Sequence, residues 1–172
     1  ESVLLGVYRE MNNDGIYGLN LSMLFQMPTD ESKVEGSTTV GARQQASNAF
    51  TTTDSYVQNT WATLYKGIYC ANSFLEGIEL HKGDYSEQDQ KKAEIYIAEA
   101  KTLRALYYFE LVRWYGYVPL MKNTAQSALH PSQFKQNTPV EVYEFIEQDL
   151  KDAIEVLPYA SEDTKKKKNE FR

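Results

Sequence analysis

Residues 98–120 read Ala-Glu-Ala-Lys-Thr-Leu-Arg-Ala-Leu-Tyr-Tyr-Phe-Glu-Leu-Val-Arg-Trp-Tyr-Gly-Tyr-Val-Pro-Leu, and they limit the possible folds more than any other stretch. The segment starts as an amphipathic helix. From Leu103 to Tyr115 it becomes apolar on almost every side. Gly116 stops it and Pro119 follows. A helix that is greasy all round cannot lie on a surface and has to be enclosed by other helices. The expected fold class is therefore all-α.

The neighbouring patterns agree. Val57, Trp61, Leu64, Ile68, Ala71, Leu75 and Ile78 alternate in steps of four and three, which predicts a long helix from about Asp54 to His81. Lys82-Gly83 ends it, and the next helix begins near Ser86, with Asp89 as its capping partner. Thr138, Pro139 and Glu141 fit the N-cap, first position and reciprocal capping residue of a further helix. Its expected buried stripe is Tyr143, Ile146, Leu150, Ala153 and Leu157, with Pro158 as the stop. Near the start, Val3, Leu4, Val7, Tyr8 and Met11 predict a short helix, closed by Asn12-Asn13-Asp14-Gly15. Residues 19–27 fit either a short helix or an extended segment before Pro28. Residues 29–53 are polar and aperiodic, and read as one long loop. Loops of that length in compact domains are usually functional or disordered. The architecture expected from these patterns is an antiparallel helical bundle or solenoid of helix pairs, with one long polar loop.

Composition removes several function classes. The 172 residues carry a formal charge of −6, with no basic patch interleaved with aromatics, so nucleic acid is not expected as the partner. Lys165 to Lys168 sit beside Glu162, Asp163 and Glu170 and read as a solvated tail. Cys70 is the one cysteine, so neither an intrachain disulfide nor a multi-cysteine metal site can form. His81 and His130 belong to no metal-ligand pattern, and no P-loop, G-x-S-x-G or G-x-G-x-x-G occurs. Neither catalytic residues nor a cofactor or metal is expected. No signal peptide or membrane-spanning run is seen. Both ends read as cut from something longer, which makes residues 1–172 the expected N-terminal domain of a larger chain.

Three residues stand out as structural candidates. Arg104 shares a helical sector with Tyr108, Leu111 and Tyr115. A guanidinium there needs a carboxylate, a carbonyl or a ring face, because an unpaired buried charge is very costly. It is expected to clamp helices together. Asn72, among Tyr65, Tyr69 and Glu76, is expected to hydrogen-bond a neighbouring helix or loop. Asp30, beside Glu31, is expected to anchor the long loop through a salt bridge. The candidate ligand contacts are Asn48, Phe50 and Tyr56. With Arg43, Gln44 and Gln45 they have the composition of a polar site: planar amides plus a ring or two.

The wording of residues 98–120 resembles the signature helix of the SusD/RagB nutrient-binding proteins, roughly E-A-x-F-L-R-A-x-Y-Y-F-x-L-V-x-x-Y-G-x-V-P-L. Trp61, Tyr65, Ile68, Ala71 and Asn72 match the preceding family helix. Thr29-Asp30-Glu31, the helix opening at Thr138 and the stretch 169–172 follow in the family's order. The resemblance implies a tetratricopeptide-like helical scaffold and a lipoprotein of the bacterial outer-membrane surface. It implies noncovalent capture of a nutrient oligosaccharide, or in some members a peptide. It also implies delivery to a SusC-like TonB-dependent transporter, with membrane attachment only through a lipid anchor that this sequence lacks, and no enzymatic activity. The sequence departs from the pattern after Thr-Asp-Glu, where Ser32 to Gly36 supply no stacking ring. The alternative is a helical-repeat module that binds protein or peptide.

Overall fold

The structure is a computed structural model and describes residues 2–31, 35, 51–128 and 133–158. The described residues form five α-helices: α1 (Ser2–Met11), α2 (Asn20–Gln26), α3 (Ser55–His81), α4 (Glu87–Tyr115) and α5 (Pro139–Ile154). Residues 19–27 thus resolve into a helix rather than an extended segment. The only strand-like pairing among the described residues is a single antiparallel bridge between Val118 and Asn137.

Local chemistry explains the boundaries. The Asn13 side chain accepts from the Gly15 amide and opens the wide helical turn Asp14–Gly18 between α1 and α2. Asp54 caps α3, its Oδ1 accepting from the amides of Tyr56 (2.8 Å) and Val57 (3.3 Å). Ser86 caps α4 by accepting from the Asp89 amide. Gly116 closes α4 at φ +71°, in the region that favours glycine, while its amide donates to the Val112 carbonyl.

Thr138 and Glu141 form a reciprocal capping box at α5. Thr138→Ala is expected to cost about 1 kcal/mol, read as a lower urea midpoint. The Thr138 amide and hydroxyl donate to Glu141 and hold its carboxyl below the ordinary value of 4.5. A lowered value means that folding favours the ionised form, so this stabilisation is complete above pH 4.5 and is lost as acidification protonates Glu141. The first-turn amides of α5 are expected to exchange faster on acidification below that point than base-catalysed exchange predicts, and Glu141→Gln should abolish the excess.

The helices α3 and α4 form an antiparallel hairpin. The α1 helix lies in the groove between them on one side, and α5 runs along α4 on the other. Between them sit Val7, Leu64, Ile68, Ala71, Tyr107, Tyr108, Leu111 and Val142, all essentially solvent-free. From Leu103 to Tyr115 only Phe109 and Arg113 are exposed, which is the enclosure that the apolar wording of this segment demands.

The buried face of α5 differs from its apolar stripe. Tyr143 (40%) and Leu150 (37%) are exposed, whereas Val142, Ile146, Asp149 and Ala153 are buried. Arg104 on α4 draws Asp149 inward, and at about 100° per residue this turns Leu150 toward solvent. One ion pair has overridden the hydrophobic pattern.

Candidate functional site

The residues that the sequence singles out fall in two described regions: the N-terminal end of α3, where the chain leaves the polar stretch, and the middle of the signature helix α4. At the first, Tyr56 is half-buried in the opening turn of α3. Its carbonyl accepts from the Asn20 side chain, which also reaches the Thr60 hydroxyl. The Tyr115 hydroxyl donates to the Val57 carbonyl at 2.7 Å, and Trp61 packs edge-on against Tyr115. This end of α3 is therefore held by both α2 and α4. Asp54 is buried, and its Oδ2 has no hydrogen-bond partner among the described residues. Sequence reasoning saw Asp54 only as a helix start. Asn48 and Phe50 lie outside the described residues. Asp30 is exposed and forms no ion pair with a described residue, so the anchoring salt bridge expected for it is not found there.

In the second region Arg104 is 8% exposed and bound on three sides. Its Nε and Nη2 donate to the two oxygens of Asp149, both at 2.8 Å, and its Nη1 donates to Asn72 Oδ1 at 2.7 Å. The Phe145 ring lies 4.9 Å from the guanidinium carbon. The Asn72 amide then donates to the Met121 carbonyl (2.9 Å). That carbonyl also accepts from the Tyr108 hydroxyl, and this hydroxyl in turn accepts from the Met121 amide. The Tyr65 hydroxyl donates to the Pro119 carbonyl at 2.8 Å, and the Asn137 side chain accepts from the Leu120 amide. The motif residues Arg104, Tyr108, Asn72 and Tyr65 thus join α3, α4 and α5 and hold the segment after α4 against them. Burial pushes the Tyr65 and Tyr108 phenols well above their ordinary range, so both stay protonated donors. Their hydrogen bonds are spent inside the scaffold.

Sequence reasoning missed two further buried acids. Glu10 pairs with Lys66 at 2.9 Å. Glu110 accepts from the Tyr17 hydroxyl (2.7 Å) and from Arg113 (3.3 Å), and its Oε2 has no partner among the described residues. Arg113 is stacked between the rings of Phe25 and Phe109. Both acids lie on faces shared by helices distant in sequence, which periodicity does not reveal. Cys70 is half-buried, and burial pushes its thiol up, away from the reactive thiolate. Among the described residues no group of His, Cys, Asp and Glu could hold a metal ion.

A family model for SusD-like proteins, described as starch-binding and associating with the outer membrane, matches residues 2–170. The chain belongs to the SusD-like family. A SusD homologue from Bacteroides thetaiotaomicron is 51% identical and superposes with a TM-score of 0.86 over 92% of this chain and 30% of that structure. A laminarin-binding SusD-like protein is 32% identical, with a TM-score of 0.75 over 95% of this chain and 35% of its own. SusD-like protein P2 of Formosa agariphila is 28% identical over 160 residues, 92% of this chain and 30% of that protein. The chain thus spans about 30% of the length of this curated SusD-like relative. The tetratricopeptide-like helix pairs seen here are the helical scaffold of the SusD-like fold.

Proposed function

We propose that this SusD-like chain is the scaffold portion of a protein that captures a nutrient glycan noncovalently at the bacterial outer-membrane surface. The protein hands its glycan to a TonB-dependent transporter of the SusC type. The observation that carries this reading is the likeness to a laminarin-binding SusD-like protein over nearly the whole chain. Membrane attachment would come from a lipid anchor, as the resemblance to the family implies; among the described residues no helix is long and apolar enough to cross a bilayer. The chemistry is binding alone, with no bond made or broken in the glycan.

Within this chain the glycan would meet Asn48, Phe50 and Tyr56, the last in the opening turn of α3. Stacking a sugar face on one ring is worth roughly 1–2 kcal/mol by area, so useful affinity needs contacts from the rest of the protein. Two measurements test this. Calorimetry of the full-length protein against maltooligosaccharides, laminarin oligosaccharides and short peptides should show binding to a glycan. Binding to peptide alone would replace the reading with that of a peptide-binding helical module. Tyr56→Ala should weaken glycan binding about tenfold, ~1.4 kcal/mol, at an unchanged melting temperature. Residues 1–172 by themselves should bind glycan weakly or not at all.

A further inference from the structure

Seven aromatic rings among the described residues are exposed, and most are already engaged. The Tyr8 and Tyr17 hydroxyls donate to Glu99 and Glu110, Phe25 packs on Trp114, and Phe109 packs on Tyr143. Two rings are uncommitted among the described residues: Tyr69, in the middle of α3, and Tyr117, just after α4. Tyr117 is the more open of the two, at 56% against 46%.

The backbone around Tyr117 is fixed from both sides. Gly116 turns the chain at φ +71°, and the Val118 carbonyl accepts from the Asn137 amide at 3.1 Å. Tyr65 holds the Pro119 carbonyl, and the Asn137 side chain holds the Leu120 amide. Val118 is fully buried. Successive side chains of extended backbone point to opposite sides, so the burial of Val118 turns the Tyr117 ring outward. A tyrosine on a fixed backbone has only two side-chain rotations to lose when a ligand covers it.

The same turn stands at the end of the bundle where α3 begins. The Tyr115 hydroxyl donates to the Val57 carbonyl at 2.7 Å, and Tyr117 follows two residues later, a span of at most about 7 Å. Tyr56, next to Val57, is half-buried, and its hydroxyl too has no partner among the described residues. Tyr56 and Tyr117 are thus two rings with free polar tips at one end of the bundle. Tyr69 lies about 20 Å along α3 from Tyr56, at 1.5 Å per residue.

We propose, resting on the glycan-binding reading above, that Tyr117 is a second stacking residue of the glycan site, holding a sugar unit of the same chain that Tyr56 contacts. The ligand is then an oligosaccharide of several units, because one sugar face covers one ring. The test is calorimetry of the full-length protein with laminarin oligosaccharides and maltooligosaccharides. Tyr117→Ala should weaken binding about tenfold at an unchanged melting temperature. Tyr117→Phe, which keeps the ring, should stay within about twofold of the unmodified protein, and Tyr69→Ala should leave the affinity unchanged. Unchanged affinity in Tyr117→Ala beside a loss in Tyr56→Ala would overturn the role of Tyr117 and leave the glycan reading standing. A lower melting temperature with unchanged affinity would make Tyr117 a scaffold residue and also overturn it. So would a loss in Tyr117→Phe or Tyr69→Ala as large as in Tyr117→Ala. Failure of the unmodified protein to bind either glycan would overturn both the glycan reading and this one.

Discussion

Asp149→Ala is expected to destabilise the protein by about 3–5 kcal/mol. The loss comes less from the missing attraction than from what remains. Arg104 would stay buried with its charge and two donors unmatched, since Asn72 satisfies only Nη1. The consequences extend beyond α5, because Asn72 is oriented by Arg104 and itself holds the Met121 carbonyl. Denaturant unfolding of the variant measures the effect. The double variant Arg104→Met with Asp149→Leu supplies the control. Removing both charges and keeping the volume should restore most of the stability, because buried ion pairs are often replaceable by packed apolar groups. A loss below about 1 kcal/mol in Asp149→Ala, the level of a surface pair, would refute the assignment of this pair as the clamp of the three helices.

Gly67→Leu is expected to cost at least as much as the upper end of the range of about 1–3 kcal/mol for overpacking. A Cβ at residue 67 would already lie 2.6 Å from the Tyr107 ring, and Tyr107 cannot swing away. It is 1% exposed, and its hydroxyl is tied to the Val7 carbonyl at 2.6 Å. Any accommodation must therefore separate α3 from α4 or loosen α1. Propensity acts in the opposite sense and favours leucine over glycine by nearly 1 kcal/mol, so the sign of the measured change decides the matter. Thermal unfolding that showed a stabilised variant would mean that the two helices are not in this close register.

The secondary structure was legible because its signals are local. Asp54, Ser86 and Thr138 each cap the helix that their position announces. Gly116 ends α4 for a reason that needs no tertiary contact. The candidate ligand contacts were less legible. Tyr56 is placed by Asn20 and by the turn at Asp54, whereas the neighbouring oxygen of Asp54 stands out only once its burial and lack of a partner are known. Glu10 and Glu110 read in sequence as ordinary charged positions of helix faces, yet both are buried because partners from other helices meet them there.

By itself the amino-acid sequence determined the all-α class, where α1, α3 and α4 begin and end and where α5 begins, that Leu103 to Tyr115 must be enclosed, and which family its wording resembles. These follow from interactions within a few turns of one helix, which periodicity and capping chemistry record directly. Only the tertiary structure decided that Asp149, 45 residues from Arg104, is the partner that turns α5 away from its own apolar stripe. It alone showed that the bare backbone of Gly67 receives the Tyr107 ring. Such choices depend on which faces meet across the bundle, and a one-dimensional pattern carries no distance between helices.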